Sequence, residues 1–125
     1  MDDIRLYSKE HAWIRDNGTD YMDVGLSGYA IKQLDGVAYV AFEAIEDELV
    51  KTGDWIASIE SRKAAGSLVS PVDGIIKALA AHVETDPSCL EDCDGDMVLA
   101  VIQLKGNKPA DLMSRREYDE YCKTL

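Results

Sequence analysis

The chain has 125 residues, 46% of them hydrophobic, and 24 acidic against 13 basic side chains give a net charge of −11. That length and apolar content suit one domain, residues 1–125, with a packed core, and exclude a largely disordered chain. The acidity argues against nucleic acid and anionic membrane surfaces, which select clustered Lys and Arg.

No run is long enough to span a bilayer. Met1-Asp2-Asp3 begins acidic and polar, unlike a secretory signal or transit peptide. Three cysteines, Cys89, Cys93 and Cys122, make an odd count. A disulfide framework is therefore not expected, and a reducing compartment, the cytoplasm, is. An organelle matrix stays open for a processed chain. No CxxC pair exists and His11 and His82 are isolated, so no zinc site is expected.

Strand patterns dominate. Trp13-Ile14-Arg15 and Tyr21-Met22-Asp23-Val24-Gly25 flank the turn residues Asp16-Asn17-Gly18, which predicts a hairpin. Ser27 is placed to cap a short helix running to Leu34, with Tyr29, Ala30 and Leu34 facing inward. Val37 to Phe42 reads as a strand, and Glu43 to Leu49 as an acidic loop. Thr52-Gly53-Asp54 turns into the strand Trp55-Ile56-Ala57-Ser58-Ile59. Simple alternation puts Trp55, Ala57 and Ile59 on one face of it, with Ile56 and Glu60 on the other.

The pattern then repeats. Asp35-Gly36-Val37 is echoed by Asp73-Gly74-Ile75, and the run Gly53-Asp54 to Ile59 by Gly95-Asp96 to Val101. Two similar β units predict two sheets packed face to face about a pseudo-twofold, a flattened barrel or sandwich. The core then draws on Val24, Val37, Val40, Ile59, Val72, Val98 and Val101. In the longer second unit, Asp86 is a candidate N-cap with Pro87 at the first helical position. The acidic stretch Glu91 to Asp96 lacks the glutamate that closes a calcium loop, since position twelve is Ile102, and reads as a solvated turn. Ser114-Arg115-Arg116-Glu117 is a capping box. Tyr118, Tyr121, Cys122 and Leu125 follow as an apolar stripe on a final helix over about 114–124.

One feature carries chemistry. Glu60-Ser61-Arg62-Lys63-Ala64 sets a lysine at the predicted tip of a hairpin spanning about 55–70. Small residues Ala64, Ala65 and Gly66 follow it, and Pro71 and Gly74 end the returning strand. A lysine raised on a tight turn of a rigid sheet is accessible to a ligase, and an arm attached there can visit several enzymes. No Ser-His-Asp set, phosphate loop or paired-carboxylate cleft competes with it as a catalytic centre.

The E-S-x-K-A core, the S-P-V-x-G after it (Ser70 to Gly74) and Lys9-Glu10-His11-Ala12-Trp13 upstream resemble the lipoylated H protein of the glycine cleavage system. The resemblance covers nearly the whole chain. It implies the lipoyl/biotinyl carrier fold, mainly β with short helices and a C-terminal helix, and lipoate attached covalently to Lys63. A biotin carrier has methionines about its lysine, where this chain has Arg62 and Ala64. The resemblance implies a carrier without catalytic activity of its own. A lipoate ligase or lipoyltransferase would load it. A pyridoxal-phosphate glycine decarboxylase, an aminomethyltransferase and dihydrolipoyl dehydrogenase would be its partners, and an aminomethyl group its cargo. It also implies an arm cleft at Glu10, His11, Ala12 and Ser67. Ala12 and Ser67 stand where the family commonly has acids, and Asp96-Met97 where it has Gly-Trp. Loss of two carboxylates keeps open an H-like carrier of sulfur serving a heterodisulfide-reductase-like complex in sulfur oxidation. A β domain that binds a partner without lipoylation is the third reading.

Overall fold

The computed structural model describes residues 4–18 and 20–125; the acidic start Met1-Asp2-Asp3 lies outside the described residues. Two antiparallel sheets face each other across one apolar core and do not close into a barrel. Six strands form the larger sheet: β1 (Leu6–Tyr7), β2 (Ala12–Asp16), β3 (Tyr21–Leu26), then β9 (Ala100–Leu104), β8 (Gly74–Leu79) and β5 (Leu49–Val50), in that spatial order. The smaller sheet holds three strands, β4 (Tyr39–Phe42), β6 (Trp55–Glu60) and β7 (Ala65–Val69), with β6 in the middle. Four helices complete the described elements: α1 (Gly28–Leu34), α2 (His82–Thr85), α3 (Cys89–Asp92) and α4 (Arg115–Cys122).

The β2–β3 hairpin forms as its turn chemistry predicts, with Ile14 opposite Val24. The two echoing units pair their outer strands in different sheets, although β5, inside the first, joins the larger sheet beside β8. β4 pairs with β6 after Asp35-Gly36, and β8 pairs with β9 after Asp73-Gly74. Their buried residues meet in the middle: Val40, Ile56, Ile59 and Leu68 from the smaller sheet, Ile14, Val24, Ile76 and Ile102 from the larger.

Three expectations are corrected. Trp55 is 57% exposed while Ile56 and Ala57 are both buried. A bulge between Trp55 and Ala57 inserts Ile56 as an extra residue, which breaks the alternation and turns Trp55 outward. Val98 and Val101 are only half-buried, and Leu99, Ala100 and Ile102 take the core. The second echo therefore holds as a turn but not in register: its strand begins at Ala100, and β8 is itself bulged between Ile76 and Ala78. Asp86 ends α2 instead of starting a helix; its carboxylate accepts from Ser88 Oγ at 2.9 Å, and α3 begins at Cys89.

The helix ends follow elementary capping. Ser27 Oγ accepts from Ala30 N at 3.2 Å. On α1 the buried residues are Ile31 and Leu34, while Tyr29 and Ala30 are half-buried at its edge. The capping box of α4 is complete: Ser114 N donates to Glu117 Oε1 at 2.9 Å, and Glu117 N to Ser114 Oγ at 3.2 Å. Tyr118 docks this helix by stacking on Tyr7, with ring centroids 4.5 Å apart. Tyr121 and Cys122 are half-buried, and Leu125 is 61% exposed.

Candidate functional site

The β6–β7 hairpin carries Lys63 on a turn organised by one side chain. Ser61 Oγ accepts from Ala64 N at 2.9 Å and from Lys63 N at 3.2 Å, and donates to the Ala64 carbonyl at 3.1 Å. Ser61 N donates to the same carbonyl at 2.9 Å. A serine here substitutes for backbone partners that the tight turn cannot supply. Glu60 closes the ladder opposite Ala65 and, through its carbonyl, accepts from Ala38 N at 2.8 Å. Lys63 and Arg62 are exposed. The Lys63 ammonium meets Asp35 Oδ2 at 3.0 Å, with both side chains largely in solvent. Asp35 stands at the end of α1 in the left-handed region, φ 53°. No sequence signal linked it to Lys63, because the two are joined only by the packing of α1 beside the hairpin.

Beside the hairpin opens a cleft of about 390 Å³. Ala64, Ala65, Gly66 and Ser67 form one wall, and Ala30, Gln33 and Leu34 of α1 form the other, with Glu10, His11, Tyr29 and Leu125 completing it. Of the expected cleft residues, Glu10, His11 and Ser67 line it. Ala12 does not: it is fully buried on β2, opposite Leu26, within the core. Alternation explains this, since the chain enters β2 at Ala12 and one residue's step carries the side chain from the cleft to the interior.

His11 is the most constrained of these residues. Its φ is 73°, an uncommon value outside glycine. The loop closes around it: Ser8 N donates to the Ala12 carbonyl at 2.8 Å, and Ser27 N to the His11 carbonyl at 2.9 Å. Its Nδ1 lies 2.7 Å from Tyr118 Oη, which in turn lies 2.6 Å from Ser27 Oγ. Tyr29 packs on the imidazole at 5.1 Å between centroids. Burial holds the His11 pKa below its ordinary value, and the nearby Glu10 only partly opposes this. Burial likewise drives the Tyr118 phenol far above its usual range, so it stays protonated.

Elsewhere, Cys89, Cys93 and Cys122 are free and half-buried. Among the described residues no three His, Cys, Asp or Glu side chains gather as metal ligands. Among the same residues no helix is long and apolar enough to cross a membrane.

A two-sheet protein that raises an exposed lysine on a hairpin, next to a small cleft, has the build of a prosthetic-group carrier. Its relatives agree. Residues 5–125 match the family described as Glycine cleavage H-protein, and the chain belongs to that family. It is 35% identical to Glycine cleavage system H protein 4 of Aquifex aeolicus over 124 residues, covering 97% of this chain and 71% of the relative. It is 29% identical to the glycine cleavage system H protein of Vibrio parahaemolyticus, covering 100% of this chain and 98% of the relative. A crystal structure of a glycine cleavage system H protein from Mycobacterium marinum shares the fold, with TM-score 0.81 and 24% identity over 96% of this chain and 97% of that one.

Proposed function

We propose that this chain is the lipoyl carrier of a glycine cleavage system, acylated on Lys63 and carrying an aminomethyl group between partner enzymes. The observation that carries the reading is the adjacency of the exposed Lys63 to the 390 Å³ cleft, in a chain that matches the H-protein family from residue 5 to 125.

The residues present fit a lipoyl group. The Lys63 amine is open to a ligase, and Ala64, Ala65 and Gly66 leave room around it. The cleft beside it offers apolar wall at Leu26, Leu34 and Ile59 and polar atoms at Glu10, His11, Gln33 and Ser67. Lipoate supplies the dithiol–disulfide chemistry; the protein supplies attachment, orientation and docking. Ser61 sets the turn that aims Lys63, and Asp35 holds the free ammonium before acylation. The partners are those implied by the family: a lipoate ligase or lipoyltransferase, the decarboxylase, the aminomethyltransferase and the dihydrolipoyl dehydrogenase. The chain is a carrier and not itself an enzyme, and it works in the cytoplasm.

Co-expression with a lipoate ligase and lipoate, read by intact and peptide mass, should place one lipoyl increment on the peptide containing Lys63. Lys63→Arg keeps the charge and should abolish the increment. An increment that persists in the variant, or that never forms on the parent, overturns the assignment and leaves a β domain that binds a partner without lipoylation.

One observation favours a sulfur cargo as a second reading: the only side-chain carboxylate on the cleft wall, among the described residues, is Glu10. An ammonium is held best by charged acceptors, each such bond contributing about 1.5–3 kcal/mol. The glycine–bicarbonate exchange reaction with a glycine decarboxylase separates the two, since only the aminomethyl carrier supports it.

A further inference from the structure

Ser27, Tyr118 and His11 form a hydrogen-bonded chain of three groups, the first two buried, that ends at the cleft wall with the half-buried His11. Ser27 and Tyr118 are each 3% exposed. Every donor in such a chain needs an acceptor, since a buried polar hydrogen without one costs free energy. The Ser27 hydroxyl already accepts from Ala30 N. Its own proton has one acceptor within hydrogen-bond distance among the described residues, Tyr118 Oη at 2.6 Å. With that oxygen accepting from Ser27, the Tyr118 proton goes to His11 Nδ1 at 2.7 Å, a better acceptor than the Cys122 sulfur that also lies within reach of the phenol. Nδ1 must then carry a lone pair, and in a neutral imidazole the ring proton sits on Nε2. The opposite direction leaves the Ser27 proton with no acceptor.

We propose that Ser27 and Tyr118 are positioning residues that hold His11 as a neutral imidazole protonated on Nε2, so that the cleft wall presents an N–H donor and no cation. This rests on the cleft being the seat of the lipoyl arm only where it concerns what the donor meets. His11 lines the cleft, Nδ1 is engaged, and Nε2 has no hydrogen bond among the described residues. A donor there suits an acceptor on the arm, its amide carbonyl or a sulfur. A cationic cargo meets no like charge at His11 and draws on Glu10, Gln33 and Ser67 for its acceptors. Protonating His11 would remove that acceptor and leave the Tyr118 proton either to Ser27, orphaning the Ser27 proton, or to the Cys122 sulfur, a weak acceptor. The titratable and charged groups that face the imidazole are Glu10 on its own loop, Tyr29 on α1, and Tyr118 and Tyr121 on α4, with Cys122 behind Tyr118 and Lys9 next along the loop. Of these Glu10 is the nearby anion that opposes the effect.

The test is nitrogen NMR of the histidine side chains in the full chain, unacylated and lipoylated, across the acid range. In the unacylated protein at neutral pH, His11 should show an unprotonated Nδ1 and a protonated Nε2. Tyr118→Phe keeps the ring stacked on Tyr7 but removes the proton that Nδ1 accepts. It should yield a mixture of tautomers and a higher titration midpoint for His11, with His82 unmoved as an internal control. A proton on Nδ1 in the parent protein overturns the proposal, and Cys122 would then be the acceptor for Tyr118. Unchanged tautomer and midpoint in the variant also overturn it. The parent spectrum decides the tautomer by itself, so a poorly folding variant does not rescue or hide the answer. Lipoylation should shift the His11 Nε2–H resonance. If the tautomer is as stated and that resonance stays put, the arm does not reach His11, and the part of the proposal that faces the arm falls.

Discussion

His11 shows how one residue couples the loop, the cleft and the pH response. Its folded-state pKa is depressed, first by burial. The unfolded chain therefore binds a proton more readily than the native one, and stability falls as pH drops below the ordinary value of 6.5. Replacing it with Asn, a residue that tolerates positive φ, should flatten that part of the stability–pH curve measured by urea unfolding. If the curve keeps its slope in the variant, another group sets it. Gly25 is constrained for a different reason. A Cβ there would collide with the Trp13 indole and the Met97 carbonyl. Trp13 cannot yield easily, being fully buried with Nε1 donating to the Gly95 carbonyl at 2.7 Å and the Arg5 guanidinium 4.5 Å above its ring. Gly25→Ala should cost about 1–3 kcal/mol in denaturant unfolding. A loss under about 0.5 kcal/mol, the ordinary surface range, would show that the indole moves aside.

Local chemistry dominates at the level of elements. The capping box of α4 was readable because Ser114 and Glu117 act within one turn. Ser114→Ala removes the acceptor for Glu117 N and should lower stability by about 1 kcal/mol, measured as a shift in the urea midpoint. Adding Glu117→Ala should cost less than a second full increment, since the two side chains act as a unit. Additive losses would mean that the two bonds are independent. The lysine turn was legible for the same reason: Ser61, Lys63 and Ala64 lie within four residues, and Ser61 supplies the bonds. Bulges were not legible. Ile56 enters the core beside Ala57 because an extra residue slips the pairing with β7, and alternation alone cannot locate such a slip.

Across the whole molecule, the attachment lysine and the stabilising core are separate, and the two meet only at the cleft floor, where Leu26, Leu34 and Ile59 belong to the core. Lys63 stands at a solvent-exposed tip, while Ile14, Val24, Ile59, Leu68, Ile76 and Ile102 pack between the sheets. Unacylated and lipoylated protein should therefore differ by at most about 1 kcal/mol, a few degrees in thermal midpoint. Calorimetry of the two forms checks this, and a larger gap would show that the arm buries substantial apolar area in the cleft.

What the sequence determined by itself is what short range decides: the β2–β3 turn, the Ser27 and Ser114 caps, and the exposed lysine between two strands. These depend on side chains hydrogen-bonding backbone a few residues away, and on patterns that any sheet would impose. The motifs around Lys63 and His11 also carried the family. Only the tertiary structure decided the full composition of the cleft, because its walls come from distant parts of the chain: the loop before β2, the end of β3, α1, the β6–β7 hairpin and Leu125 beyond α4. It brought Asp35 to Lys63, moved Ala12 into the core and set Tyr118 against His11. Each of those contacts joins residues 28 or more apart or turns on which face a strand presents. Packing fixes both, and periodicity in a single chain does not.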